Sequence, residues 1–174
     1  AKALGIQTRP VLVGPVTFLL LGKTDGADAP LSLLKKLLPV YEDVLRRLAA
    51  AGADAVQLDE PCLALDLDVA AQTALTEAYA VLSKAAPGLK ITVASYFGGL
   101  GDNLDTALAL PVSGLHIDLV RAPEQLETVL ADLELKGLLN GPYDSRNAII
   151  TINARDGGVD ANDWADMLLR MYIQ

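Results

Sequence analysis

The chain has 174 residues, one ordinary domain's worth, and 52% of them are apolar, so it can bury a core, which argues against disorder. Its 14 Lys and Arg stand against 22 Asp and Glu, and a net charge of −8 excludes binding to nucleic acid or to an anionic membrane through the bulk field. The single cysteine, Cys62, excludes an internal disulfide and a multi-cysteine metal site and fits a reducing, cytoplasmic setting.

In chain order, Pro10 precedes Val11-Leu12-Val13, which ends at Gly14-Pro15 and reads as a buried strand. The longest apolar run, 11–21, is shorter than the roughly 18 residues of a membrane span and contains Gly14, Pro15 and Thr17. Lys2 and Arg9 lack the apolar region and small-residue cleavage site of a signal peptide, and the chain opens on Ala1, not Met, as it would if its start were removed or never included. Across 31–51, Leu34, Leu37, Leu38, Tyr41, Leu45 and Leu48 share a helical face. Pro39 predicts a break, with a short helix before it and a longer one starting near it, and Gly52 a C-terminal stop. A second strand, 55–58, runs into Asp59-Glu60-Pro61, and a helix over 70–86 stops at Pro87-Gly88. A third strand, 90–95, leads to a loop with Gly98, Gly99 and Gly101, after which Asn103 caps a short helix to Leu110. A strand over 114–118, a helix over 123–133 and a fifth strand over 135–139 follow. Asn140-Gly141-Pro142-Tyr143-Asp144 is turn chemistry. The expected remainder is a strand over 148–152 and a helix capped by Asn162, with Trp164, Met167, Leu168 and Met171 as its core stripe.

Repeated βα units predict an α/β fold with a parallel sheet, because parallel strands need a crossover between them. The polar punctuation, Asp59-Glu60, Ser95-Tyr96, Asp118 and Arg121, falls at strand C-terminal ends, the edge that carries the active site in a βα barrel. An eight-stranded barrel takes about 250 residues, so five units imply a partial barrel of the TIM type or a smaller open sheet. The division expected is a βα portion over 1–139 and a divergent extension over 140–174 packed on the same domain.

Four segments in register carry a resemblance: Arg9-Pro10-Val11-Leu12-Val13-Gly14-Pro15-Val16-Thr17-Phe18, Val56-Gln57-Leu58-Asp59-Glu60-Pro61, Ser95-Tyr96-Phe97-Gly98, and Gly114-Leu115-His116-Ile117-Asp118-Leu119-Val120. Together they resemble the cobalamin-independent methionine synthases over about 1–139. That resemblance implies two related βα barrels, a C-terminal one holding zinc and homocysteine and an N-terminal one that scaffolds it and helps bind the folate. The catalytic barrel's His-x-Cys pair corresponds here to Val93 and Ser95, and its zinc-ligand Glu to Asp118. The chain therefore resembles part of the N-terminal, non-catalytic barrel. The resemblance implies methyl transfer from a folate to homocysteine only in the full-length family, with zinc and folate as cofactors there and none expected in this chain.

The candidate site residues are His116, Asp118, Asp59, Glu60 and Ser95. Asp59 and Glu60 read either as a carboxylate site for a substrate ammonium or, preferably, as an ion pair or loop anchor. His116 and Asp118 alternate on a strand and can form a His–carboxylate pair; a buried, hydrogen-bonded polar pair is the plainer reading. With Ser95 they make a Ser–His–Asp relay conceivable, hence a small hydrolase as one alternative function. Cys62 lies among acids that hold its thiol protonated, and Asp102 beside the glycine-rich loop disfavours an anion there. The other alternative is a self-associating module: exposed strand edges predict a homo-oligomer, such as a closed dimer of partial barrels. A small-molecule ligand is compatible with either reading.

Overall fold

A computed structural model describes residues 5, 8–23 and 29–138. Contacts divide the chain into a first unit, Ala1–Leu133, and a second, Glu134–Gln174; the described part of the second is the last turns of a helix. In the first unit four parallel strands form one sheet: β1 Val11–Val13, β2 Ala55–Asp59, β3 Lys90–Ala94 and β4 Gly114–His116, paired in that order. The connections carry helices α1 Pro15–Leu21, α2 Leu34–Ala50, α3 Val69–Ala85 and α4 Leu104–Ala109, and α5, Gln125–Leu138, follows β4. Register places Leu12 beside Leu58, Leu58 beside Val93 and Val93 beside Leu115.

Alternation along the strands separates two faces. Val56, Leu58, Ile91 and Val93 are buried in one aliphatic core with Val16, Leu34, Leu38, Leu45, Leu75 and Leu82 of the helices. Each such side chain stabilises the fold by about 1.5–3 kcal/mol. Tyr79 is the aromatic exception within this core, and its hydroxyl has a specific partner described below.

Asp68 caps α3 by accepting from the Ala71 N–H at 2.8 Å. One expectation holds in detail. Gly52, with φ of 84°, ends α2: its N–H bonds the Ala49 carbonyl and the Ala53 N–H reaches back to Leu48, a Schellman closure.

Four expectations are corrected. Pro39 does not start a helix; it lies within α2, after a 3-10 turn over Pro30–Leu33. Both Pro39 and Lys35, whose carbonyl it cannot bond, are exposed, so water can take the freed carbonyl. Asn103 sits at the start of α4 without capping it, because its side chain is committed elsewhere: its amide donates to the Leu63 and Leu65 carbonyls at 3.0 and 2.7 Å, and its oxygen accepts from Gln72. The fourth strand ends at His116, leaving Asp118 in the following turn. The fifth strand expected over 135–139 is not formed: residues to Leu138 continue α5, where Leu, Glu, Lys and Ala favour helix and the apparent alternation gives way. Among the described residues there are thus four strands, where five were expected up to residue 139. The strand over 148–152 and the helix after Asn162 lie outside the described residues. Among the described residues no helix is long and apolar enough to cross a membrane.

Candidate functional site

The C-terminal ends of β1 and β2 are joined by one carboxylate. Glu60 is fully buried. Its Oε1 accepts from the Val16 N–H (3.3 Å) and the Tyr79 hydroxyl (3.0 Å), and its Oε2 from the Thr17 N–H (2.7 Å). Those two amides are free donors of the first turn of α1, where Pro15 leads the helix and no residue of its own caps it. Glu60 therefore caps α1 from a neighbouring strand, where negative charge also meets the positive end of the helix. Thr17 completes the joint by accepting from the Cys62 N–H at 3.2 Å. A Cβ on Gly14 would lie 2.1 Å from the Glu60 carboxyl carbon, so this position requires glycine. Burial raises the Glu60 carboxyl above its ordinary value, against the lowering from the Thr17, Tyr79 and Val16 bonds.

Asp59, the preceding residue, faces the other way. On the open face of the sheet its Oδ1 accepts from the Gln57 amide at 2.8 Å and from the Tyr96 hydroxyl, and the same Gln57 amide donates to the Tyr96 oxygen at 2.8 Å. Desolvation, then the Asp59 carboxylate, push the Tyr96 phenol up to about 12, so it remains a donor. Register sets Asp59, Ala94 and His116 side by side. The His116 ring lies 5.6 Å from that of Tyr96, with its Nδ1 3.1 Å from the Ser95 carbonyl. A carbonyl only accepts, which places a proton on Nδ1.

Asp118 folds its own loop. Its Oδ1 accepts from the Val120 and Arg121 N–H groups, and its Oδ2 from the Phe97 N–H at 3.1 Å and the Arg121 guanidinium at 2.9 Å. The Arg121 bond holds its carboxyl below the ordinary value. Phe97, held at φ of 75°, is 74% exposed, a strained aromatic at the strand edge. The glycine-rich loop is pinned by Gln125, which accepts from the Leu100 N–H and donates to the Asp118 carbonyl.

The structure thus brings Asp59 and His116 to one face and separates them from Glu60 and Ser95. Ser95 is fully buried on the helix side, and its hydroxyl has no partner among the described residues. His116 meets the Ser95 backbone, not its hydroxyl, and Asp118 bonds Arg121 and its own loop, not His116. The Ser–His–Asp relay is not assembled, because β4 ends before Asp118 and Ser95 alternates to the opposite face. Burial pushes the Cys62 thiol up to about 12, with Glu60 adding to the rise, so it is neither a nucleophile nor a ready metal ligand.

The Gln57–Tyr96 link and the Tyr79–Glu60 bond escaped the sequence reading. Gln57 was detectable, two residues before Asp59 and so on the same face. Tyr79 lay inside an ordinary apolar helix stripe and carried no such signal. Among the described residues no three His, Cys, Asp or Glu side chains converge to hold a metal ion. Together with the protonated thiol and the occupied Glu60 and Asp118 carboxylates, the donor set does not fit zinc.

Comparison with known proteins adds an independent line. The family described as cobalamin-independent synthase, N-terminal domain, matches residues 1–154. A 5-methyltetrahydropteroyltriglutamate–homocysteine methyltransferase of Bradyrhizobium diazoefficiens is 61% identical over 149 residues, 84% of this chain and 19% of that protein. The protein of the same name in Mesorhizobium japonicum is 63% identical over 150 residues, covering 84% and 19%. The one in Rhodopseudomonas palustris strain CGA009 is 58% identical over 173 residues, covering 98% and 21%. These matches extend past residue 139, where the sequence resemblance was drawn to end. The chain spans about a fifth of the length of these curated relatives.

Proposed function

This chain belongs to the cobalamin-independent synthase family through its N-terminal domain, and we propose that it acts as the scaffolding and folate-binding part of a methyltransferase that carries a methyl group from 5-methyltetrahydropteroyltriglutamate to homocysteine. The observation that carries this reading is the commitment of the strand-end carboxylates to structure. Glu60 ties β2 to α1, and Asp118 ties β4 to its own loop and to Phe97. Neither is presented to a substrate, and the described residues do not fit zinc, so no step through zinc is assigned to this chain. The sheet is read as half of an eight-stranded βα barrel because its four parallel strands run in unbroken order, each crossover moving one place the same way. Asp59, Gln57, Tyr96 and His116 then line the mouth, where Asp59 and His116 can bind a polar part of the folate. A cytoplasmic setting accompanies this reading, since the one cysteine is a buried free thiol.

Grafting this chain in place of the matching segment of the Rhodopseudomonas palustris relative tests the proposal. The chimera is expected to retain methyl transfer to homocysteine, and Asp59→Asn in it to raise KM for the folate more than it lowers kcat. The purified chain alone is expected to transfer no methyl group. A folded chimera without transfer, or transfer by the chain alone, overturns the assignment.

A further inference from the structure

The three carboxylates at the strand ends are bonded unequally. Glu60 and Asp118 each use both oxygens: Oε1 of Glu60 meets Val16 and Tyr79 and its Oε2 meets Thr17, while Oδ1 of Asp118 meets Val120 and Arg121 and its Oδ2 meets Phe97 and the Arg121 guanidinium. Asp59 takes both of its donors on one oxygen. The Gln57 amide and the Tyr96 hydroxyl converge on Oδ1, and Oδ2 has no partner among the described residues. Nor does a Lys or Arg pair with it among the described residues. An ionised carboxylate can accept on both oxygens, and the two that hold structure here do so.

Gln57, Asp59 and Tyr96 form a closed ring of bonds. Each amide hydrogen of Gln57 has its own acceptor, Oδ1 of Asp59 and the Tyr96 oxygen, both at 2.8 Å, and the Tyr96 hydroxyl donates onward to Asp59. Asp59 cannot turn without breaking one of them. The sequence builds this locally: Gln57 and Asp59 are two residues apart on β2 and share a face. In the register Ala94 stands between Asp59 and His116. Tyr96, two residues beyond it, bonds Asp59 through its hydroxyl while its ring lies 5.6 Å from that of His116, so one side chain touches both. Phe97 meets the same ring edge-on at 5.9 Å. Because Nδ1 of His116 donates to the Ser95 carbonyl, the neutral ring keeps a lone pair on Nε2, which also has no partner among the described residues.

We propose that Gln57 and Tyr96 are positioning residues: they hold Asp59 by Oδ1 so that its Oδ2, with Nε2 of His116, accepts hydrogen bonds from N–H groups of the ligand. The proposal rests on the folate-binding reading above and names the chemistry by which the site takes the folate. The two donors beside Asp59, the Gln57 amide and the Tyr96 hydroxyl, are already spent on it. What the site offers a ligand is therefore a pair of acceptors, one of them charged. Such a pair selects N–H donors and turns away carboxylates, which only accept and which Asp59 repels. Holding the carboxylate in one orientation before the ligand arrives lowers the cost of ordering it on binding.

Nitrogen NMR of the purified chain tests the proposal, because His116 is its one histidine and its ring signals need no assignment. Without ligand the neutral ring is expected to carry its proton on Nδ1. Titration with 5-methyltetrahydropteroyltriglutamate is expected to shift the Nε2 signal and to yield a dissociation constant. Tyr96→Phe and Gln57→Leu are each expected to raise that constant about tenfold, with circular dichroism reporting that each variant folds. A residue that acts through Asp59 has nothing to position once Asp59 is gone. In an Asp59→Ala background, which itself binds at least as weakly, Tyr96→Phe is therefore expected to add less than about twofold, a dependence that a merely structural role would not produce. A ligand-free ring protonated on Nε2, binding that both folded variants leave unchanged, or a Tyr96→Phe loss that persists in full without Asp59 overturns the proposal and leaves the folate reading standing. A wild-type chain that takes no folate overturns both.

Discussion

Asp59 and Glu60 are neighbours in sequence and belong to different halves of the molecule. Glu60 points under the helices, where its carboxylate gathers two amides and a phenol and holds a helix to a strand. Asp59 points to the open face, where it meets a side-chain amide and a phenol at the edge of water. An acidic pair that reads as one site is two devices, divided by the alternation of a strand. On the closed face each polar atom is there because something apolar was built around it. On the open face the polar atoms keep water as an alternative partner, and that difference sets the size of every effect expected below.

The largest effect is at Glu60. Glu60→Ala leaves two buried amides and the Tyr79 hydroxyl without an acceptor and opens a cavity, and we predict a loss of about 3–5 kcal/mol in denaturant unfolding. Glu60→Gln keeps the volume and one acceptor and should cost less. It also carries a pH signature. Burial raises the Glu60 carboxyl above its ordinary 4.5, so its favourable contribution is complete below 4.5 and is lost as pH rises through the folded-state value. Wild type is therefore expected to gain stability between neutral pH and about 4.5 relative to Glu60→Gln. Asp118 gives the opposite slope, because its lowered value makes its contribution present above 3.8 and lost as pH falls further. A Glu60→Gln variant with an unchanged profile in the upper window would contradict the desolvated carboxylate.

Gly14→Ala tests the same joint from the other strand. The added methyl would overlap the Glu60 carboxyl group, which the Val16, Thr17 and Tyr79 bonds prevent from moving aside. The expected cost is about 3 kcal/mol, and it should shrink in a Glu60→Ala background, where the overlap is gone. Asn103→Ala comes next. It strips donors from the Leu63 and Leu65 carbonyls, and we expect about 2 kcal/mol by thermal or denaturant unfolding.

These ranks show where the sequence could be read and where it could not. The strands β2 and β3 and the helix α3 followed from apolar runs bounded by Pro, Gly and Asp, because local chemistry and tertiary packing agree there; β1 forms where its apolar run predicted, but it was read as buried and its Val11 and Val13 are exposed. Asn103 looked like a helix cap because caps are a local pattern; its actual partners are the Leu63 and Leu65 carbonyls, some 40 residues earlier in the chain, and no local signal encodes them. Pro39 looked like a helix start, yet its exposed position makes a lost hydrogen bond tolerable mid-helix. The alternating residues after Leu133 looked like a strand, but strong helix formers carried α5 through them. At the site, Asp59 was expected at a strand end and stands there; His116 was expected within a strand running to Asp118 and instead ends β4. The pairing of His116 with Asp118 was an inference from strand alternation, and it failed because the strand stops at His116.

The smallest effect expected is Tyr96→Phe. The substitution removes one hydroxyl from a half-buried position and keeps the ring against Phe97 and His116. Asp59 loses a donor but keeps the Gln57 amide, and water can replace the phenol from the open side. A net cost of about 0.5 kcal/mol follows, at the low end of what one hydrogen bond contributes. The magnitude is diagnostic because it depends on water reaching Asp59. Were the face sealed from water, the lost hydrogen bond would cost several times more. Measured by denaturant unfolding, the Tyr96→Phe cost should therefore stay near that value, which would mean that the residues of the open face contribute little to the stability of the fold. A cost several times larger would mean that water does not reach Asp59 and that the hydroxyl belongs to the structural framework of the sheet.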